Sequence, residues 1–89
     1  MMHTFQEAWG ELEQALADAM GRYGFPIPPE TSARAIFSMS TLTWRDKLTQ
    51  EHFALFHALR AFKNGHKTWK RGPTPLQSAG WLAEQIRMA

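Results

Sequence analysis

Cysteine is absent from the 89 residues, which excludes a disulfide scaffold and any thiolate zinc site and leaves packing alone to build the core. No apolar run approaches the roughly 18 residues of a membrane span, and the opening MMHTFQEAWGELEQ lacks the basic, apolar and small-residue order of a secretory signal. Together these absences lead us to expect a cytoplasmic protein with no membrane partner. No segment alternates apolar and polar residues with β-branched enrichment, and no internal repeat is visible, so neither a sheet nor a solenoid is expected. A phosphate-binding loop is also missing, because the second Gly of GHKTWKRG is followed by Pro73 instead of Lys.

What is present suits a globular chain. The apolar share is 44%, with 12% aromatic, too high for a disordered segment. The length accommodates one core, so a single domain over residues 1–89 is expected. Chains of this size bury only about 60 to 65% of the surface they expose when unfolded, which leaves a narrow stability margin. The formal charge of +2 hides an asymmetry: residues 1–31 carry five acids and one Arg, a net of −4, whereas residues 32–89 carry nine Lys or Arg and three acids, a net of +6. An anionic partner would meet the second part.

Four helices can be read from caps and periodicity. Thr4 with Glu7 forms a T-x-x-E capping box. From there Phe5, Ala8, Trp9, Leu12, Ala15, Leu16, Ala19, Met20 and Tyr23 recur at steps of three and four, with Gly24 placed as a left-handed cap and FPIPP unable to continue the helix. A second helix is expected from Pro29 or Glu30, turning Ala33, Ile36 and Phe37 inward and fading between Ser40 and Thr43, with a short turn at Thr43–Asp46. Thr49 caps a third helix over about residues 50–64, with Leu55, Ala58, Leu59 and Phe62 inward and Gly65 at its end. Thr74-Pro75-Leu76-Gln77 is another capping box and opens a fourth helix to about residue 88, with Leu76, Ala79, Leu82, Ala83 and Ile86 inward. The expected class is all-α: a small bundle of about four helices with short loops.

Catalytic chemistry finds little support. His52 and His57 are five positions apart, about 140° around a helix, so they cannot share a metal as an i,i+4 pair does. His66 lies beyond that helix and His3 near the chain start. No metal and no cofactor are therefore assigned. Most acids (Glu7, Glu11, Glu13, Asp18) occupy the polar side of the first helix, and Glu30 lies beyond it. Ser38, Ser40 and Ser78 lack a nucleophile-elbow context. Neither an enzyme nor a small-molecule substrate is expected.

The remaining signals concern binding. Residues 60–71 hold Arg60, Lys63, His66, Lys67, Trp69, Lys70 and Arg71. Phosphates attract such cations and a Trp among them can stack on a base, which makes Lys63, Lys67, Trp69, Lys70 and Arg71 candidates for nucleic-acid contact. The competing reading is a solvated connector with Trp69 folded onto the bundle. Residues 50–64 and the following TPLQSAGWLAEQI loosely resemble the first two helices of a winged-helix domain. No recognition helix follows them, so major-groove reading is not expected. On the fourth helix Trp81 and Met88 oppose the apolar stripe, and on the third Phe53 and Phe56 lie off the main face beside His57 and Arg60. Exposed aromatic and Arg side chains are the composition of interface hot spots. The sequence thus suggests a non-catalytic adaptor or inhibitor whose protein-binding residues are Phe56, Arg60, Trp69, Trp81 and Met88, with self-association as one form of that contact. Such a small protein without a catalytic set would suit an accessory or inhibitory protein of a mobile element. Nucleic-acid binding through residues 63–71 is the alternative.

Overall fold

The computed structural model describes residues 4–31 and 33–89. Helix α1 spans Phe5–Arg22, α2 Arg34–Trp44, α3 Gln50–Lys63 and α4 Pro75–Met88, and no strand is present among the described residues. The radius of gyration is 12.3 Å, against about 12 Å for a compact chain of this length. The class is a small all-α bundle. None of the described helices is long and apolar enough to cross a membrane.

Each helix packs on two others, α1 and α3 both against α2 and α4, so α1 and α3 sit diagonally. The rings of Trp9 and Phe56 stack across that diagonal with centroids 5.5 Å apart. The most extensive interface joins α1 to α4, where Ala8, Ala15 and Ala19 on one helix and Ala79 and Ala83 on the other are buried and their short side chains allow a close approach. Leu12, Leu16, Met20, Leu82 and Ile86 fill the space around them. At the far end Arg22 donates through Nη2 to the carbonyls of Ile86 (2.9 Å) and Ala89 (3.1 Å), which brings the C-terminal ends of α1 and α4 together. The two helices therefore run the same way.

The termini follow from local chemistry. Capping boxes open α1 (Thr4/Glu7), α3 (Thr49/His52) and α4 (Thr74/Gln77). Helices α1, α2 and α3 all close with paired bonds from a left-handed residue and its successor back into the last turn. Those residues are Gly24 (φ 70°), Asp46 (φ 61°) and Gly65 (φ 72°).

Helix α2 departs from the sequence expectation in three ways. It begins at Arg34, not at Pro29 or Glu30, because a turn intervenes: the Arg34 N–H donates to the Thr31 carbonyl and the Ala33 N–H to the Thr31 hydroxyl. It continues through Ser40–Thr43 to Trp44, because the hydroxyls of Ser40, Thr41 and Thr43 donate to the carbonyls four residues back and so stay within the helix. Its inward face is Ala35, Ser38, Met39 and Leu42, whereas Ala33 is exposed, Ile36 half-buried and Phe37 57% exposed. The helix is apolar on two sides, and the side that carries Ala35, Met39 and Leu42 is the one buried in the bundle. Consequently Thr43–Asp46 is the end of α2 and its closing turn, not a separate helical turn.

Helix α3 is rotated from expectation. Phe56 and Leu59 are fully buried, Leu55 and Ala58 only half-buried, and Phe62 reaches the surface while packing edge-on against Phe5 at 5.3 Å. Full burial, with the Trp9 ring of α1 stacked on it, makes Phe56 a core residue, which corrects its placement on a binding surface. Helix α4 matches its expected stripe, with Leu76 half-buried at its first turn.

Candidate functional site

The connector between α3 and α4 folds down onto the bundle. Trp69 is half-buried, its Nε1–H donates to the Pro73 carbonyl at 2.7 Å, and its ring meets Phe62 edge-on at 6.0 Å. The turn-rich sequence allows this reversal and the indole fastens it. Trp69 is thus an anchor of the loop, and stacking on a base would require undocking it. The Arg71 guanidinium lies 6.0 Å over the same indole. Lys63 extends over Trp9, with Nζ 5.6 Å from the ring, while Lys67 and Lys70 are exposed. The only ion pair between described residues is Arg87–Glu84, at 3.4 Å, so no described carboxylate pairs with the connector's cations.

Beside the anchored loop is an open groove of about 570 Å³ lined by Leu55, Arg71, Pro73, Gln77, Ser78 and Trp81. Its floor is largely apolar. Trp81 is 52% exposed on the outer side of α4, as its angular position implies, and the His52 ring packs against it at 5.7 Å. The polar groups here have structural roles. His52 Nδ1 accepts from the Thr49 N–H at 3.1 Å, and Gln77 Oε1 accepts from the Thr74 N–H at 3.1 Å. Ser78 is buried. Arg71 is therefore the cationic group at the groove that carries no capping duty.

Of the candidate residues that the sequence offers, the groove unites Trp81 and Arg71, with Trp69 supporting Arg71 from behind. Met88, 74% exposed, lies two turns further along the same side of α4. Arg60 is half-buried on α3. Leu55, Pro73 and His52 are not among those candidates. Periodicity places Leu55 in the core, and His52 invites comparison with a metal ligand when T-x-x-H in fact serves as a capping box.

A second apolar face has no counterpart in the sequence expectation. Ala33, Ile36, Phe37, Ser40, Thr41 and Trp44 form a shallow strip along the outside of α2, and Trp44 is 86% exposed. Its residues recur at steps of three and four, but the same helix carries an equally periodic inward stripe. A third concavity, about 270 Å³ between α1 and α2, is polar, with Glu13, Glu30 and Arg34 in its walls.

Among the described residues no three His, Asp or Glu side chains gather at metal-binding distance, and no buried side-chain nitrogen or oxygen lacks a partner. His57 packs on Phe53 at 4.6 Å, His66 is exposed in the connector, and His3 lies outside the described residues. Comparison of the chain with protein-family models, with curated proteins and with solved structures gave no match.

Proposed function

We propose that this chain is a small non-catalytic binding module that docks a protein partner at the α3–α4 groove and the Trp81 side of α4, acting as an adaptor or inhibitor by occupying a surface. The observation that carries the reading is Trp81: a large aromatic held half-exposed on a capped helix, at the edge of an apolar groove. Aromatic and Arg side chains at a groove dominate interface energies, and Trp81 with Arg71 supplies both. Arg60 and Met88 would contribute at the periphery, and a second copy of the chain is one form the partner can take. A role as an accessory or inhibitory protein of a mobile element and a cytoplasmic setting are parts of the same proposal.

The test uses wild type and Trp81→Glu, each immobilised and exposed to nuclease-treated native lysate, with sedimentation of both proteins alone. The expected result is a protein or a second copy held by wild type and lost by the variant, at unchanged helix content. Equal retention by both would refute the docking face.

Lys63, Lys67, Lys70 and Arg71, which form no ion pair among the described residues, favour nucleic acid as a second reading. It differs in salt dependence, because counterion release makes nucleic-acid affinity fall steeply with salt while an aromatic-centred interface responds weakly.

A further inference from the structure

The groove offers an incomplete set of interactions, and what is missing describes the occupant. Leu55, Pro73 and Trp81 present apolar surface. Beside them the exposed Arg71 guanidinium lies 6.0 Å from the ring centroid of Trp69, itself fixed to the Pro73 carbonyl, and no carboxylate among the described residues pairs with it. Residues 60–73 contain Arg60, Lys63, Lys67, Lys70 and Arg71 and no acid, and Arg71 is the member of this basic segment that lines the groove. We infer that the groove takes a peptide segment of a protein partner that places a large apolar side chain on the Leu55–Pro73–Trp81 floor and an Asp or Glu carboxylate on Arg71. This rests on the docking face proposed above and names the chemistry of its partner.

Three arguments select that occupant. The Arg71 side chain is exposed, so its donors are accessible, and Arg recognises a carboxylate through two parallel hydrogen bonds. The basic connector that brings Arg71 to the groove repels a basic segment and attracts an acidic one, so the charge discriminates between partners before the floor engages. The floor is aliphatic on one side and indole on the other, which fits a bulky side chain.

The experiment is selection of a phage-displayed random dodecapeptide library on the immobilised full chain, with fluorescence-polarisation measurements on one enriched, labelled peptide. Enriched sequences are expected to share a large apolar residue with Asp or Glu within two positions. Binding should fall at least about tenfold on Trp81→Glu, on Arg71→Glu, and when the peptide's acid is replaced by Lys. Arg71→Glu paired with the Lys peptide should recover part of the loss. Circular dichroism of both variants checks that they remain helical. Enriched peptides that lack an acid, or that lose affinity on Trp81→Glu but not on Arg71→Glu, would overturn the acidic partner while leaving the docking face intact. Peptides indifferent to Trp81→Glu, no enrichment at all, or competition only by an oligonucleotide such as dT15 would overturn both.

Discussion

Phe56 and Trp81 carry similar apolar bulk yet hold opposite positions. Phe56 is fully buried and stacked on Trp9, whereas Trp81 is half-exposed. Phe56→Ala should therefore cost about 3 to 5 kcal/mol, and Leu16→Ala and Leu59→Ala about 2 to 4 kcal/mol each, a large part of the stability of a domain this small. Trp81→Glu should change stability by no more than about 1 kcal/mol, since surface substitutions away from special features cost little. Urea melts of the four variants check this, and a collapse on Trp81→Glu would make it a core residue. Arg22 is a different kind of residue. It donates to Ile86 and Ala89 at the joined C-terminal ends of α1 and α4, where two helix dipoles of the same sense end side by side. Replacing it by Met should destabilise by about 1 kcal/mol, and salt should shrink the difference between the two proteins.

At the scale of elements, the helix ends were more legible than the helix faces. T-x-x-E at Thr4, T-P-x-Q at Thr74 and the glycines at 24 and 65 each fix a terminus through short-range geometry, which a sequence displays directly. A face is fixed by what packs against it. For α2 two apolar stripes compete, and only packing on α1 and α3 chooses Ala35, Met39 and Leu42 over Ile36 and Phe37. For α3 the diagonal packing with Trp9 buries Phe56, a distance in sequence that local periodicity does not register. The site divides in the same manner: Trp81 and Arg71 were legible as leftover aromatic and basic residues, while Leu55 and Pro73 became groove residues only through the fold of the connector. The caps make a test of their own. Asp46 occupies the left-handed position that glycine holds at the ends of α1 and α3. Asp46→Gly should stabilise by about 0.5 to 1 kcal/mol and Gly65→Ala should destabilise by about 1 kcal/mol, read from thermal midpoints. Equal midpoints for the two would mean that these turns are not closing the helices.

For the whole molecule, charge and exposed apolar area divide the surface. The connector is cationic, the outside of α2 is uncharged and aromatic, and α1 is predominantly acidic on its outer side. Replacing Lys67, Lys70 and Arg71 together by Ala should leave the melt unchanged, because these side chains lie outside the core. If a nucleic acid binds, the slope of log affinity against log salt should flatten by about 0.7 to 0.9 for each phosphate that the variant no longer neutralises. No binding of the parent protein to DNA or RNA at low salt would remove that reading. Replacing Phe37 and Trp44 by Ser should raise the concentration at which the protein begins to aggregate and shift stability by no more than about 0.5 kcal/mol each.

The pairing of α1 with α4 also sets the order in which the molecule can be made. Its end bond joins Arg22 to Ile86 across 64 positions, so the first helix lacks its most extensive cover until α4 has left the ribosome. During synthesis Leu12, Leu16 and Met20 must wait, either open to chaperones or shielded by α2 alone. The bundle should therefore acquire protease resistance abruptly, as α4 emerges, and a stalled chain ending before Ala79 should remain as digestible as an unfolded one.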